Sequence, residues 1–273
     1  MSTTSQQERA ARFRALHRPG TPFVLANAWD AASALIFAHA GCPALGTTSA
    51  GLAWSLGFAD NQQLPVDLLV DAVARIAAVI DVPLTADIER GYANEPGEVA
   101  AVVRRLVRAG AIGVNIEDGS DPPDLLCRKI EALRRLAAEM EVPLFINART
   151  DLYFRGDLKG AERCAEVARR FLRYAAAGAD GVFAPGLADL AEIAQISGAV
   201  PHPLNIYAGA GVPTVPALAA AGVARVSVGC GPMQATLGLV RRIAAELLQG
   251  GTYGLFTDGA ISPGEMNTLL RRD

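Results

Sequence analysis

The sequence predicts an α/β protein, a single (β/α)8 barrel of the TIM type with a C-terminal helical extension. Three observations predict it. Short apolar runs alternate along the chain with longer Ala/Leu/Arg-rich helical patterns. There are eight such runs, the number that closes a barrel. No Gly-x-Gly-x-x-Gly turn follows the first run, so the main signal for an open doubly wound sheet is missing. With 273 residues, 51% of them hydrophobic, the chain can bury one large core.

Residues 1–18, with Arg9, Arg12, Arg14 and Arg18, read as a polar lead-in and an amphipathic helix rather than a secretory leader. The expected strands are Phe23–Ala26, Ala44–Thr47, Leu84–Ala86, Gly113–Ile116, Leu144–Ala148, Gly181–Ala184, Leu204–Tyr207 and Arg225–Val228. Helical patterns between them include Val66–Ile80, Glu98–Ala109, Asp124–Glu139, Ala161–Ala177 and Val215–Ala221. Three helices end in Ala-Gly, at Gly110, Gly178 and Gly222, where glycine suits a left-handed cap. The barrel with its N-terminal helix is assigned to residues 1–249 and the extension to 250–273. Gly250-Gly251 breaks the helix Met233–Leu248, and Pro263–Arg272 reads as a short terminal helix suited to covering the barrel or docking on another subunit.

A formal net charge of -3 without a basic stripe argues against a nucleic-acid partner. No apolar run is long enough to span a bilayer. Cys42, Cys127, Cys164 and Cys230 lack metal-ligand spacing, which points to a cytoplasmic protein with reduced thiols.

The chemistry is concentrated where apolar strands end in charge. Leu84-Thr85-Ala86-Asp87-Ile88-Glu89 and Gly113-Val114-Asn115-Ile116-Glu117-Asp118 each finish in carboxylates. Alternate strand residues point the same way, so Asp87 and Glu89 share a direction if the strand stays extended. Asn115 and Glu117 form a second such pair, and Asn147 and Arg149 a third. Close carboxylates repel unless a cation separates them, and Mg²⁺ needs few direct protein ligands. The alternative is a solvated rim paired with Arg90 or helix arginines. Arg149 suits a bidentate carboxylate, or else a pair with Asp151 or Asp118. Gly46-Thr47-Thr48-Ser49-Ala50-Gly51 offers backbone N–H groups and hydroxyls to an anion, though such a turn is often only a turn. Asn205 is as compatible with a satisfied core amide as with a ligand. His17, His39 and His202 show neither metal spacing nor a nucleophile partner.

Together these segments resemble the isocitrate lyase/phosphoenolpyruvate mutase superfamily. The resemblance runs from Leu25-Ala26-Asn27-Ala28-Trp29-Asp30 to Val226-Ser227-Val228-Gly229. It is most specific in Thr48-Ser49-Ala50-Gly51, Leu56-Gly57-Phe58-Ala59-Asp60, Ala86-Asp87-Ile88-Glu89, Asn115-Ile116-Glu117-Asp118 and Ala148-Arg149-Thr150-Asp151. It implies a Mg²⁺-dependent enzyme that makes or breaks C–C or P–C bonds beside a pyruvate-like unit through an enolate. By resemblance, Asp87 is the direct metal ligand, and Glu89 and Glu117 hold metal-bound waters. Ser49, Ala50 and Gly51 bind a substrate carboxylate, Arg149 and Asn205 add donors, and Asp60 sits near the metal waters. A 2-oxo or 2-hydroxy carboxylate partner and a homotetramer, a dimer of dimers with terminal helices between subunits, are also implied.

The chain departs from the pattern at three places. Asp-x-Asp is here Asp87-Ile88-Glu89. The gate that carries the lyases' catalytic Cys is replaced by Asp118-Gly119-Ser120-Asp121-Pro122-Pro123-Asp124, which runs straight into a helix containing Cys127-Arg128-Lys129. The lyases' Glu after the sixth strand is Phe183-Ala184-Pro185-Gly186. The expected activity is therefore a lyase or hydrolase of a small 2-oxo (di)carboxylic acid, with oxaloacetate-type cleavage favoured. Isocitrate or 2-methylisocitrate lysis, phosphonopyruvate/phosphoenolpyruvate P–C chemistry and non-catalytic 2-oxo-acid binding are the alternatives. A lysine Schiff base is disfavoured, because neither Lys129 nor Lys159 ends an expected strand.

Overall fold

The computed structural model describes residues 5–271. Eight parallel strands close into a barrel in sequential order, β1 (Phe23–Ala28), β2 (Leu45–Thr47), β3 (Leu84–Asp87), β4 (Gly113–Glu117), β5 (Phe145–Arg149), β6 (Gly181–Phe183), β7 (Leu204–Tyr207) and β8 (Arg225–Ser227). All eight expected strands are present, with ends shifted by one or two residues. The shifts matter at the carboxyl ends, where β3, β4 and β5 extend to include Asp87, Glu117 and Arg149.

Amphipathic helices surround the barrel. Helix Val66–Ala78 buries Leu69, Val73 and Ile76 on one face, and helix Gly160–Ala176 buries Cys164, Val167, Phe171 and Tyr174. Gly110, Gly178 and Gly222 have φ of +113°, +109° and +83°, so the left-handed caps form as expected. Two helices at the carboxyl ends were not anticipated, Ser49–Ser55 after β2 and Leu152–Arg155 after β5.

Helix Gln6–Leu16, capped by Ser5 and Glu8, closes the amino-terminal end of the barrel. Its Phe13 packs edge-on against Phe145, and His17 stacks on the same ring with centroids 4.1 Å apart. Further up, the interior is polar. Arg225 on β8 donates from Nη2 to Asn115 Oδ1 on β4 at 3.2 Å, spanning the barrel, and Asn147 donates to the same oxygen at 2.9 Å.

The C-terminal segment has a different character. Helix Gly231–Ala245 buries only Met233 and continues into a single π-helical turn, Glu246–Gly250, before Gly251 turns left-handed at φ +63°. Helices Gly254–Thr257 and Pro263–Leu270 bury nothing. The expected last helix is thus seen to Leu270, and its Arg272 lies outside the described residues, as do residues 1–4 of the lead-in. No described helix is long and apolar enough to cross a membrane.

Candidate active site at the carboxyl ends of the strands

A cavity of about 180 Å³ opens at the carboxyl ends of the strands. Asp60, Asp87, Ser49, Ala50, Asn115 and Arg149 line it together with Tyr207 and Cys230. A second cavity of about 370 Å³ lies beside it, with Glu89, Glu117 and Asp151 in its wall, and Phe154 borders both.

Asp87 is fixed from two sides. Its backbone N–H donates to Thr47 Oγ1 at 2.9 Å, and its Oδ2 accepts from the Ser49 N–H at 3.3 Å. Ser49 and Ala50 are not turn residues but the first residues of a helix, whose N-cap is Thr48. The Ser49 N–H is taken by Asp87, and the Ala50 N–H has no intrahelical carbonyl because the opening turn of a helix supplies none. Gly51 lies behind. Its N–H is bonded to Thr48 Oγ1, and a Cβ there would come within 2.9 Å of Trp29 Cβ, so this glycine serves close packing.

Glu89 reaches the site by a different path from the one expected. β3 ends at Asp87, and Glu89 itself has φ of +50°, so the extended Asp87–Glu89 pairing does not form. The turn is held from three sides. Glu89 Oε1 accepts from the Gln62 N–H at 2.9 Å, the Tyr92 N–H donates to Gln62 Oε1 at 2.6 Å, and Lys129 Nζ donates to the Arg90 carbonyl at 2.7 Å. A non-glycine residue in the left-handed region costs energy, and such strain clusters at functional sites. Lys129 sits in helix Pro123–Glu139 as expected, but as the buried prop of this turn.

Arg149 Nε donates to Asp151 Oδ1 at 2.6 Å, and Nη1 lies 2.8 Å from Glu117 Oε2. The pairing with Asp151 was one of the readings left open. The contact with Glu117 is an ion pair without hydrogen-bond geometry, because Oε2 has no hydrogen-bond partner. Asp60 Oδ1 is likewise buried without a hydrogen-bond partner among the described residues. Asn205 is not in the cavity wall. It lies at the floor with its amide engaged by Ser227 Oγ at 3.1 Å, as a satisfied core group.

Crowding shows in the acid–base balance. Burial lifts Asp87 above the usual carboxylate range, against Arg149 and Ser49, and Asp60 adds to the rise. Burial also brings Glu89 up to about 7. Glu117 is raised by burial, opposed by Arg149 and reinforced by Asp151, Asp87 and Glu89. Burial alone would lower Arg149, but Glu117, Asp151 and Asp87 outweigh it and hold the guanidinium charged. Among the described residues, no three His, Cys, Asp or Glu side chains gather closely enough to ligate one ion directly. Asp60 Oδ1, without a hydrogen-bond partner among the described residues, and the crowded carboxyls of Asp87, Glu89 and Glu117 do fit a hydrated cation, which would relieve the repulsion once Glu117 is shared with Arg149.

The residues that sequence reasoning missed are Asn27, Phe154, Tyr207, Ser227 and Cys230. Strand-end aromatic residues and a cysteine after the last strand look like core in a sequence. Only closure of the barrel brings β7, β8 and β1 to the mouth.

The fold and this mouth define a (β/α)8 barrel with an acidic, arginine-bearing cavity at the strand carboxyl ends. The chain belongs to the phosphoenolpyruvate phosphomutase family, whose pattern matches residues 13–248, within the isocitrate lyase/phosphoenolpyruvate mutase superfamily of lyases and mutases. It is 38% identical over 242 residues to an uncharacterized protein of Mycobacterium tuberculosis (strain H37Rv), covering 87% of this chain and 89% of that one. It is 32% identical over 218 residues to the oxaloacetate decarboxylase of Ectopseudomonas mendocina, covering 76% of this chain and 72% of that protein. A crystal structure from Burkholderia cenocepacia J2315, provisionally classed as a lyase/mutase, superposes with a TM-score of 0.88 at 37% identity, over 96% of this chain and 95% of that one.

Proposed function

We propose that the protein is a Mg²⁺-dependent carbon–carbon lyase or hydrolase of a small 2-oxo dicarboxylic acid, with oxaloacetate-type cleavage as its reaction. The observation that carries this reading is the meeting of Asp60, Asp87 and Arg149 with Ser49 and Ala50 in the lining of one small cavity. The relationship to oxaloacetate decarboxylases supports the same substrate class. Lysis of isocitrate or 2-methylisocitrate is less well supported. The loop after Glu117 carries no Cys, and Asp118 beside it is committed to Thr150, Arg170 and Tyr174.

Asp87 would hold the cation directly, and Glu89 and Glu117 would hold it through water. When bound, the cation supplies Lewis acidity that stabilises charge on the oxygen of an enolate. The Ala50 N–H and the Ser49 hydroxyl would orient one substrate carboxylate, while the Ser49 N–H holds Asp87. Arg149 would bind the other substrate oxygens as its Glu117 contact loosens, and Asp60 would order water near the reacting carbon. Asn205, which the resemblance makes a substrate donor, would instead support Ser227 in the floor.

The assembly is part of the proposal. Both faces of a parallel barrel strand are normally covered. Yet Val24 on β1 is 41% exposed, and helix Gly231–Ala245, which follows β8, stands off the barrel with Leu237 and Val240 in solvent. A second copy that lays its C-terminal helix over β1 would bury both surfaces. This supports a homo-oligomer, a dimer of dimers, in which the chain leaves its own barrel at Gly231, about twenty residues before the division expected near residue 250. A cytoplasmic location fits the four free cysteines.

The functional test is a Mg²⁺-dependent screen of oxaloacetate, 2-methylisocitrate, isocitrate and phosphonopyruvate. Oxaloacetate turnover supports the reading. Tight oxo-acid binding without turnover of any of the four would favour a non-catalytic binding protein.

A further inference from the structure

Tyr207 and Cys230 line the cavity but have no task in the scheme above. Tyr207 is the last residue of β7, and Cys230 lies just beyond β8. Tyr207 Oη and Cys230 Sγ are 4.0 Å apart. The surroundings are built to seat this ring. A Cβ on Gly229 would collide with the Tyr207 ring, so only glycine leaves the slot open. Gly229 has φ of +51°, and its N–H donates to Asn27 Oδ1 at 2.8 Å. The Val228 N–H donates to the same oxygen at 3.1 Å. β1 therefore clamps the backbone that frames the tyrosine. Burial, then Cys230, raises the phenol above its ordinary range against Arg149, so it stays protonated at neutral pH.

We propose that Tyr207 is the acid that protonates the enolate carbon, and that Cys230 returns the proton to Tyr207. The proposal rests on the oxo-acid reading of this site. In oxaloacetate-type cleavage the C3–C4 bond breaks, C4 leaves as CO₂, and the bonding pair stays on the three-carbon enolate. The Tyr207 O–H bond then breaks as a C–H bond forms at C3, giving pyruvate. The phenolate takes the Cys230 thiol proton, and the half-exposed thiolate recovers one from water. No atom is oxidised or reduced. A general acid within reach of the carbon is the part that the short loop after Glu117 does not provide.

The test uses full-length wild type, Tyr207→Phe and Cys230→Ala with Mg²⁺. Exchange of the pyruvate methyl protons in D₂O, followed by NMR, requires proton transfer at C3 but no carbon–carbon cleavage. Calorimetric binding of oxalate reports whether the site is intact. Tyr207→Phe is expected to slow exchange by about 10²-fold or more, with oxalate affinity within about threefold of wild type. Cys230→Ala is expected to slow it about tenfold, and Cys230→Ser to recover part of the loss. Exchange in Tyr207→Phe at about the wild-type rate, parallel loss of exchange and oxalate binding, or no exchange by wild type would each overturn the proposal. Oxaloacetate cleavage is measured alongside. If oxaloacetate is untouched while exchange depends on Tyr207, the substrate assignment fails and the proton donor stands.

Discussion

Glu117 and Asp118 are adjacent acids at the end of one strand, with opposite surroundings. Glu117 keeps an oxygen without a hydrogen-bond partner beside the mouth. Asp118 has none to spare. It accepts from Thr150 Oγ1 at 2.7 Å, Asp151 N–H at 3.0 Å, Arg170 Nη1 at 2.7 Å and Tyr174 Oη at 2.6 Å. Asp118→Ala removes one of the two carboxylates paired with the buried Arg170, leaving Glu166, and strips the buried Thr150 and Tyr174 hydroxyls of their acceptor, so it is expected to cost about 3–5 kcal/mol in a urea melt. Glu117→Gln removes a charge that burial disfavours but also one of the two carboxylates paired with Arg149, and is expected to cost clearly less stability than Asp118→Ala. It should weaken Mg²⁺ binding by about 10- to 100-fold, read by calorimetry. Equal destabilisation by both changes would contradict this division. The sequence showed two carboxylates and could not separate them, because Arg170 and Tyr174 arrive from a helix some fifty positions on. Glu89 was hidden in a similar way. Its usefulness depends on a left-handed turn propped by Lys129, which no strand periodicity encodes.

The N-terminal helix shows how an element outside the barrel governs its stability. His17 is buried against Phe145, and its Nδ1 is hydrogen-bonded to the Phe13 carbonyl at 2.9 Å. Burial, with Arg225 adding repulsion, lowers its pKa to about 3. The unfolded chain binds this proton near pH 6.5 and the folded chain does not, so stability is complete above pH 6.5 and falls as pH drops toward 3. Between pH 7 and 5 the loss from this one group is about 2 kcal/mol. His17→Phe is expected to remove that share of the slope in urea melts at the two pH values. An unchanged slope would show that His17 is not buried neutral. The helices and strands were legible as elements, because their periods of 3.6 and 2 differ so clearly. The stopper at the barrel floor was not, since an amphipathic pattern gives a buried face without saying what it buries against. Helix Ser49–Ser55 was masked by small residues that also suit a turn.

At the scale of the molecule, the proposed homo-oligomer would bring together the exposed Val24 on β1 and the solvent-facing Leu237 and Val240 of the C-terminal helix. If that interface forms, Leu237→Asp with Val240→Asp is expected to shift sedimentation toward monomer while far-UV dichroism is retained. A sedimentation coefficient unchanged by both charges would place the contact elsewhere. The closed barrel was readable because eight strand patterns arrived in regular alternation. The meeting of β7, β8 and β1 at the mouth was not, because closure is a long-range fact. The account as a whole depends on Asp87 and a bound divalent cation acting together at that mouth. The most direct measurement is oxaloacetate decarboxylation by wild type and Asp87→Asn, each with Mg²⁺ and with chelator. The prediction is turnover by wild type only with Mg²⁺, reduced by about 10³-fold or more in Asp87→Asn. Turnover that survives both the substitution and the chelator would contradict the account.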